Sequence, residues 1–314
     1  MSMNIIINML SRNFVMILDG ALATELEKRG FNINDKLWSA KALIEAPDLI
    51  KSVHLDYLKA GANIITSASY QATIEGFMKH GLSHDKAVDL IKLSVELAKE
   101  ACKEFKNKFV AASIGPYGAF LADGSEYRGD YLIGYNQLRE FHDERMAILA
   151  STNPDLFACE TIPCFVEARA IVDELKKYPK FCAWISFSCR DGKHISNGEL
   201  IADCAAWLDT QSQVAAIGVN CTAPEYIESL IKEIRKSSSK PIIVYPNSGE
   251  VFDVQTETWQ GSPVSFADYA KIWYETGARI IGGCCRTTPQ TIQSISKAQW
   301  YQKIRNDYNE NSYN

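Results

Sequence analysis

Eight short apolar runs alternate with helical patterns along the 314-residue chain, and this alternation limits the fold more than any other feature. Continuous apolar runs of this length are typical of strands buried on both faces, as in parallel sheets. The alternation therefore predicts an α/β fold, a single (β/α)8 TIM barrel, with a doubly wound open sheet as the second choice. The runs lie at 14–18, 62–65, 109–114, 155–158, 181–187, 214–219, 242–245 and 279–281, and clear helical patterns lie at 85–105, 135–150, 166–177 and 224–236.

Composition narrows the class of protein. The whole chain, 1–314, is predicted to form one domain with its core at about 14–299 and a polar, frayed tail from about Tyr301. A net charge of −5, without a basic cluster interleaved with aromatic residues, argues against a nucleic-acid partner. The apolar run Asn4–Leu10 is too short to span a bilayer, so no membrane partner is expected. Nine irregularly spaced cysteines favour reduced thiols in the cytoplasm.

Two adjacent cysteines, Cys284 and Cys285, follow the last apolar run and two glycines. In a regular strand their side chains would point to opposite faces, so both could not reach one metal ion. Gly282 and Gly283 favour a break from extended geometry here. A helix is expected directly afterwards, capped by Thr288 and running to about residue 297.

A third thiol, Cys221, lies at the end of another apolar run. In a TIM barrel the carboxyl ends of the strands form one face, where the chemistry takes place. Cys221, Cys284 and Cys285 therefore share that face and are predicted to hold a metal, although burial as small apolar residues is the alternative. The other residues at strand ends, most of them polar, are Asp19, Tyr70, Gly115, Pro116, Glu160, Thr161, Ser188, Asn220 and Asn247.

The remaining thiols and the histidines are not expected to be ligands. Cys159 precedes Glu160 on a predicted strand, so it points away from the lumen if Glu160 points in. The five histidines do not cluster. Cysteines interpreted as structural are Cys102, Cys164, Cys182, Cys189 and Cys204.

Three thiolates without a fourth protein ligand would form an open zinc site. Such an ion carries a net charge near −1, so it activates water poorly and suits a soft ligand such as a substrate thiol. A free thiol is only slightly ionised at neutral pH, and binding to zinc would deprotonate it. The chemistry indicated is alkyl transfer to a thiol.

The chain resembles the homocysteine S-methyltransferases over about residues 15–299. Segments 19–21, 218–221 and 282–285 look like the family's three signature segments. Segments 33–39, 69–72, 121–131 and 245–250 look like the branch that uses S-methylmethionine. The resemblance implies a TIM barrel that binds homocysteine, with Cys221, Cys284 and Cys285 as zinc ligands.

The resemblance also implies substrate-binding residues. Asp19 and Glu160 would hold the amino-acid end of homocysteine, and Asn220 is a further substrate-binding candidate. Tyr70 matches a tyrosine that can approach the zinc in relatives when substrate is absent. The expected partners are homocysteine and a methyl donor, and the expected assembly is a monomer or weak homo-oligomer.

The donor is expected to be a sulfonium, S-methylmethionine first and S-adenosylmethionine second. A folate donor acting through cobalamin would need further domains, and betaine-using relatives resemble this chain less in the donor-side loops. A cationic sulfonium suits an acidic, aromatic mouth. Segment 118–134, with Glu126 or Asp130 facing the donor, is predicted to close over the site as a lid. The mouth candidates are Trp38, Tyr117, Glu126, Tyr127, Asp130 and Trp259.

Four alternatives remain open at this stage. The acceptor or donor could differ, as in selenocysteine or betaine–homocysteine methyltransferases. The adjacent cysteines could instead form a redox switch, which would carry no stoichiometric zinc. The chain could also bind thiols without turnover on any methyl donor.

Overall fold

The computed structural model describes residues 15–253 and 258–311, and it contains eight parallel strands in one sheet. Each strand overlaps one of the eight apolar runs, so the predicted alternation is confirmed. The strands are β1 (Met16–Ile17), β2 (Ile64–Thr66), β3 (Phe109–Ile114), β4 (Leu156–Ile162), β5 (Ala183–Phe187), β6 (Val214–Asn220), β7 (Ile242–Tyr245) and β8 (Ala278–Ile281).

The sheet curls into a barrel. The strands follow one another in chain order from β2 to β8, and β8 pairs with β1 through Met16 and Ile280. A parallel bridge from Leu18 to Ile64 then links β1 to β2 and closes the ring. The predicted TIM barrel is therefore confirmed, and the open doubly wound sheet is excluded.

Helices connect successive strands and cover the outside of the barrel. They are α1 (Leu22–Lys28), α2 (Ala42–Glu45), α3 (Pro47–Ala60), α4 (Ile74–Lys79), α5 (His84–Cys102), α6 (Tyr117–Leu121), α7 (Tyr135–Ser151), α8 (Phe165–Leu175), α9 (Ile201–Asp209), α10 (Pro224–Arg235), α11 (Phe266–Thr276), α12 (Pro289–Lys297) and α13 (Gln299–Asn311). Short 3-10 turns lie at Trp38–Lys41 and Ser125–Tyr127, and Val251–Asp253 pairs with Thr258–Gln260 as an antiparallel hairpin.

Two apolar clusters follow from the alternation of side chains along each strand. The outer cluster packs strand residues such as Phe157 and Ile217 against the helices. The inner cluster fills the lumen, where Trp184 is the largest side chain and Tyr245 lies above it. The lumen is thus packed, and at the carboxyl ends of the strands a cavity opens above this packed interior.

The carboxyl-terminal tail differs from the prediction. Segment 301–314 was expected to fray, but α13 continues to Asn311. Trp300 stacks on Tyr274 with ring centroids 5.5 Å apart, and Tyr301 is only 3% exposed. Two aromatic anchors therefore hold a helix whose average composition is polar. Run Asn4–Leu10 and Phe14 lie outside the described residues, among which no helix is both long and apolar enough to cross a membrane.

Candidate metal and substrate site

A cavity of about 380 Å³ opens at the carboxyl ends of the strands. It is the place where the sequence predicted the chemistry to lie. Most of the predicted site residues line it: Asp19, Trp38, Tyr70, Glu126, Tyr127, Glu160, Thr161, Asn220, Cys221, Cys284 and Cys285.

Three thiols meet on one wall of the cavity. The Sγ atoms of Cys221, Cys284 and Cys285 all lie within 4.8 Å of one another, and those of Cys221 and Cys285 are 3.9 Å apart. Cys221 and Cys284 are joined as a disulfide. The oxidised pair therefore links two strands and is not the adjacent pair suggested for a redox switch.

The donor set fits zinc. Two thiolates on a tetrahedral zinc with Zn–S bonds of about 2.3 Å would lie about 3.8 Å apart. The 3.9 Å between Cys221 and Cys285 matches that spacing, and no histidine lines the cavity among the described residues. The three thiols, once reduced, can therefore bind one ion and leave a position for an exogenous ligand.

Left-handed backbone conformations, rather than the glycines, direct the thiols to one point. Cys221 has φ +47° and Arg286 has φ +66°, so the chain turns sharply at the end of β6 and beyond Cys285. The strand does end before Gly282 and Gly283, but neither glycine has a positive φ. They provide space: an added Cβ would lie 2.6 Å from Leu18 Cβ at Gly282.

Neighbouring loops fix the cysteine loop. The Cys284 amide donates to the Pro246 carbonyl at 2.7 Å, and the Cys285 amide donates to Asn247 Oδ1 at 3.2 Å. Thr287 Oγ1 donates to the Cys284 carbonyl at 2.6 Å. Asn247 is a strand-end residue for which the sequence indicated no specific role, and the structure makes it a support for a predicted ligand.

Tyr127, in segment 118–134, approaches the thiols. Its hydroxyl hydrogen-bonds to the Cys285 sulfur, although almost half of the residue is exposed. Burial raises the pKa of the Cys285 thiol to about 11, and the hydrogen bond from Tyr127 works against that rise. Without a metal, this thiol would stay protonated at neutral pH.

Asp19 lies at the end of β1 with its carboxylate facing the cavity. Its Oδ2 accepts a hydrogen bond from the Thr66 amide at 2.8 Å. Burial raises the pKa of Asp19 to about 8, and the nearby Glu160 adds to the rise. Its carbonyl accepts from the Gly283 amide at 3.0 Å, which joins this strand end to the cysteine loop.

Glu160 lies across the cavity at the end of β4. Ser113 and Tyr245 both donate hydrogen bonds to its carboxylate. Burial nevertheless raises the pKa of Glu160 to about 7. Tyr245 in turn accepts from Trp184 Nε1 at 3.0 Å, so a buried polar chain runs from the lumen floor to Glu160.

An irregularity in β4 turns both Glu160 and Thr161 towards the cavity. The register with β5 shifts between Cys159 and Ile162, and Thr161 has φ +59°. A β-branched residue is strained in this region. Asn220 stabilises it, because its Oδ1 accepts from the Thr161 amide at 2.7 Å and its Nδ2 donates to Thr161 Oγ1 at 2.7 Å. Cys159 packs outside the barrel, as alternation predicted.

Asn220 was predicted to bind substrate, but its amide is mostly committed to the protein. Besides its two bonds to Thr161, its Oδ1 accepts from Ser186 Oγ at 2.8 Å. One amide hydrogen remains for a ligand. Its main contribution in the structure is to hold Thr161 in place.

Only one of the two acidic residues proposed to face the methyl donor lines the cavity. Glu126 lines the cavity, and its Oε2 is buried without a hydrogen-bond partner. Burial raises the pKa of this carboxyl. Asp130 is exposed instead and accepts from Arg128 Nε at 3.2 Å. The structure therefore brings Glu126 to the site and leaves Asp130 outside.

Of the aromatic residues predicted at the mouth, some line the cavity and others do not. Trp38 and Tyr70 both line the cavity as an edge-to-face pair with ring centroids 6.3 Å apart. Tyr117 packs outside the cavity against Phe141, with centroids 5.0 Å apart. The side chain of Trp259 lies outside the described part of the chain.

The raised carboxyl pKa values predict how stability changes with pH. Between about pH 4 and pH 8 the folded, metal-free protein keeps protons on Asp19 and Glu160 that the unfolded chain has lost. The free energy of unfolding should therefore fall as pH rises through this window. In Glu160→Gln the free energy of unfolding should decrease by roughly 1–3 kcal/mol less over this pH range than in the wild type.

Urea unfolding of the reduced, metal-free protein between about pH 5 and pH 8 measures this. Asp130→Asn is the matched control, because that carboxylate is exposed. The variant Glu160→Gln should be more stable than the wild type at the alkaline end. A wild-type pH slope in Glu160→Gln would show that Glu160 is ionised in the free protein.

Comparison with known proteins places these residues in a family. The homocysteine S-methyltransferase family profile matches residues 16–299. A Bacillus subtilis (strain 168) homocysteine S-methyltransferase, YbgG, is 54% identical, covering 96% of this chain and 99% of its own. A Brassica oleracea var. italica selenocysteine Se-methyltransferase is 48% identical over 90% of this chain and 88% of its own. The metallated homocysteine methyltransferase MmuM from Escherichia coli superposes with a TM-score of 0.84 at 44% identity, covering 92% and 97% of the two chains.

Proposed function

Because this chain belongs to the homocysteine S-methyltransferase family, we propose that it moves a methyl group from a sulfonium donor to the thiol of L-homocysteine, forming methionine. The observation that carries the proposal is a three-thiol group in the same cavity as two facing carboxyls, Asp19 and Glu160. S-methylmethionine is the first donor and S-adenosylmethionine the second.

Cys221, Cys284 and Cys285 would hold one zinc ion after reduction of the Cys221–Cys284 disulfide. Bound zinc would deprotonate an incoming thiol at neutral pH while the electron-rich thiolate shell leaves its sulfur nucleophilic. The Escherichia coli relative has been solved in a metallated and in an oxidised form, which supports a metal and a disulfide as alternative states of such a site. Reduced ligand thiols also suit the cytoplasm.

Asp19 and Glu160 would bind the ammonium group of homocysteine. Both carboxyls face the cavity, and Thr66 and Ser113 hold their oxygens in place. Burial raises their pKa values to about 8 and about 7, so the ionised carboxyls are unfavourable in the empty site, and for Asp19 the nearby Glu160 adds to the effect. An ammonium cation between them would favour ionisation of both and replace the lost hydration.

Glu126 would face the positive sulfur of the donor. Its buried Oε2 has no partner in the protein, and a buried unpaired carboxylate oxygen is costly unless a ligand satisfies it. Trp38 and Tyr70 add aromatic surface on the same side, where a sulfonium can interact with ring faces. The mouth is thus complementary to a cation and not to a neutral donor.

The chemistry itself needs alignment more than acid–base assistance. The bond from the donor sulfur to the methyl carbon breaks, its electron pair stays on that sulfur, and the homocysteine sulfur forms the new bond. The donor leaves as a neutral thioether, and the thiol proton has already been lost to solvent. Holding the ammonium at Asp19 and Glu160 and the sulfonium at Glu126 sets the two sulfurs in line, which is the geometry this displacement requires.

The donor assignment predicts different outcomes for two carboxylates on one segment. Glu126→Gln should raise the KM for S-methylmethionine by about ten-fold, because a buried charge contact typically contributes about 1.5–3 kcal/mol. Asp130→Asn is the matched control and should leave that KM unchanged, since Asp130 pairs with Arg128 at the surface. The KM for homocysteine should be unchanged in both variants.

Steady-state kinetics with each substrate varied in turn tests this assignment. Equal donor KM values in Glu126→Gln and the wild type would place the sulfonium elsewhere, with Trp38 the next candidate. An equal effect of both variants would indicate long-range charge rather than contact.

A donor panel at fixed homocysteine, followed by methionine formation, tests the proposed function as a whole. S-methylmethionine should give the highest kcat/KM, followed by S-adenosylmethionine, with betaine inactive. The selenocysteine methyltransferase relative makes selenocysteine the alternative acceptor to include in the panel. Binding of homocysteine without turnover on any donor would indicate a thiol-binding protein. Absence of zinc from the reduced protein would instead favour the redox switch.

A further inference from the structure

A second cavity of about 380 Å³ lies at the opposite end of the barrel from the thiols. Its walls come from segments 59–63 and 106–108, which precede β2 and β3, and from α12 and α13. The amino ends of the strands meet there, so it is separated from the methyl-transfer site by the packed lumen. We call this space the basal cavity.

Among the residues whose side chains the structure describes, five cations and no carboxylate line the basal cavity: Lys59, Lys106, Lys108, Lys297 and Arg305. The chain as a whole carries a net charge of −5, so this concentration of positive charge is local. Lys59 pairs with Asp56 at 3.8 Å. Among the described ion pairs, none involves Lys106, Lys108, Lys297 or Arg305.

Lys108 is held inside this wall. It is half-buried, and its Nζ donates to the Ala62 carbonyl. Burial lowers the pKa of Lys108, and the positive charge of Arg305 lowers it further. Two cations therefore face one space without an anion between them, which is unfavourable unless an anion binds.

Hydrogen bonds fix the neutral part of the wall. Ser296 Oγ donates to the Ala60 carbonyl at 2.6 Å, and Tyr301 donates to Asn63 Oδ1 at 3.4 Å. These bonds join α12 and α13 to the loop before β2. The residues contributed by α13 lie beyond 299, where the family match ends, so the basal cavity includes a part of the chain outside that match.

We propose that the basal cavity binds a small anion that carries a diphosphate group. Lysine is a common phosphate ligand, and five cations exceed what a single phosphate would neutralise. The site is a cavity and not an extended basic stripe with aromatic side chains, which argues against a nucleic acid. The diphosphate could be free pyrophosphate or part of a nucleotide.

Isothermal titration with inorganic pyrophosphate at constant ionic strength tests the proposal. We expect one site per chain, and Lys297→Gln combined with Arg305→Gln should weaken binding by at least about ten-fold. The matched control combines Lys232→Gln with Lys271→Gln, which removes the same charge from exposed positions of α10 and α11 that do not line the cavity. Its affinity should equal that of the wild type.

Hydrogen exchange locates the bound anion independently of affinity. Pyrophosphate should slow exchange in segments 106–109 and 297–305 and leave segments 219–222 and 283–287 unchanged. Should the double variant fail to fold, Lys106→Gln alone, an exposed loop position, replaces it with the same expected direction.

ATP serves as the second probe and distinguishes the two sources of the diphosphate. If ATP binds more tightly than pyrophosphate, and the double variant weakens both to the same extent, the natural ligand is a nucleotide. If pyrophosphate binds more tightly than ATP, the ligand is the free anion. No saturable binding below about 10 mM, or equal weakening in the control pair, would overturn the proposal. Binding of ATP alone would also overturn it, because recognition would then not rest on the diphosphate.

Discussion

Serine at position 221, 284 or 285 is expected to lower methyl transfer by at least about a thousand-fold and to remove the metal. The three Sγ atoms lie within 4.8 Å of one another, and no His, Asp or Glu of the described part of the chain belongs to this group. Two thiols and a hydroxyl would hold the ion far more weakly than three thiolates, because a serine hydroxyl stays protonated. Each of the three single changes should therefore have the same consequence.

Metal content per chain and the rate of methionine formation measure this result. Cys102→Ser is the matched control, since Cys102 is half-buried at the end of α5 and does not line the cavity. It should keep both zinc and activity. Stoichiometric zinc in the triple variant Cys221→Ser/Cys284→Ser/Cys285→Ser would refute the assignment.

Cys285→Ser also separates the metal site from the redox alternative. In the structure the disulfide joins Cys221 and Cys284, and Cys285 remains free. A redox switch based on that disulfide would survive Cys285→Ser with its response to oxidants intact. A metal site would not, and activity under reducing conditions should fall as far as in the other two variants.

The barrel could be predicted because its strands are apolar on both faces. Residues such as Phe157 and Ala158 point to different clusters, and both clusters exclude water. A continuous apolar run is therefore sufficient to mark each strand. The final helix could not be predicted from its polar average, because two aromatic residues at its start hold it to the barrel.

The thiols could be predicted because they share one edge of the barrel, but the way they converge could not. That convergence depends on left-handed conformations at Cys221 and Arg286, residue types that do not favour such conformations. Sequence patterns also did not indicate that Tyr245 and Ser113 reach Glu160 from other strands. Contacts of this kind depend on barrel closure and not on local spacing.

Segment 118–134 is a further place where the sequence could not predict which side chain reaches the site. Glu126 and Asp130 are four residues apart and have the same charge, so composition could not distinguish them. A 3-10 turn at Ser125–Tyr127 directs Glu126 to the cavity, and Arg128 holds Asp130 at the surface. The prediction that this segment closes as a lid remains a prediction.

Glu160→Gln is expected to raise the KM for homocysteine by about ten-fold to a hundred-fold without loss of zinc. The carboxylate of Glu160 faces the cavity together with that of Asp19, and a positive ammonium group is the ligand that two such carboxyls favour. Glutamine keeps an oxygen that can accept from Ser113 and Tyr245, so the buried polar chain below the site should survive. The charge is the main property that changes.

A homocysteine analogue without the amino group identifies that charge as the cause. The wild type should use 4-mercaptobutyrate less well than homocysteine by at least the factor that Glu160→Gln loses, because removing the amino group removes its contacts with both carboxyls. The preference should become smaller in Glu160→Gln and in Asp19→Asn, since each variant keeps only one of the two carboxyls that face this space. A variant that keeps the full preference would show that the ammonium binds elsewhere. A variant that keeps a normal homocysteine KM but loses its metal would make Glu160 part of the zinc site.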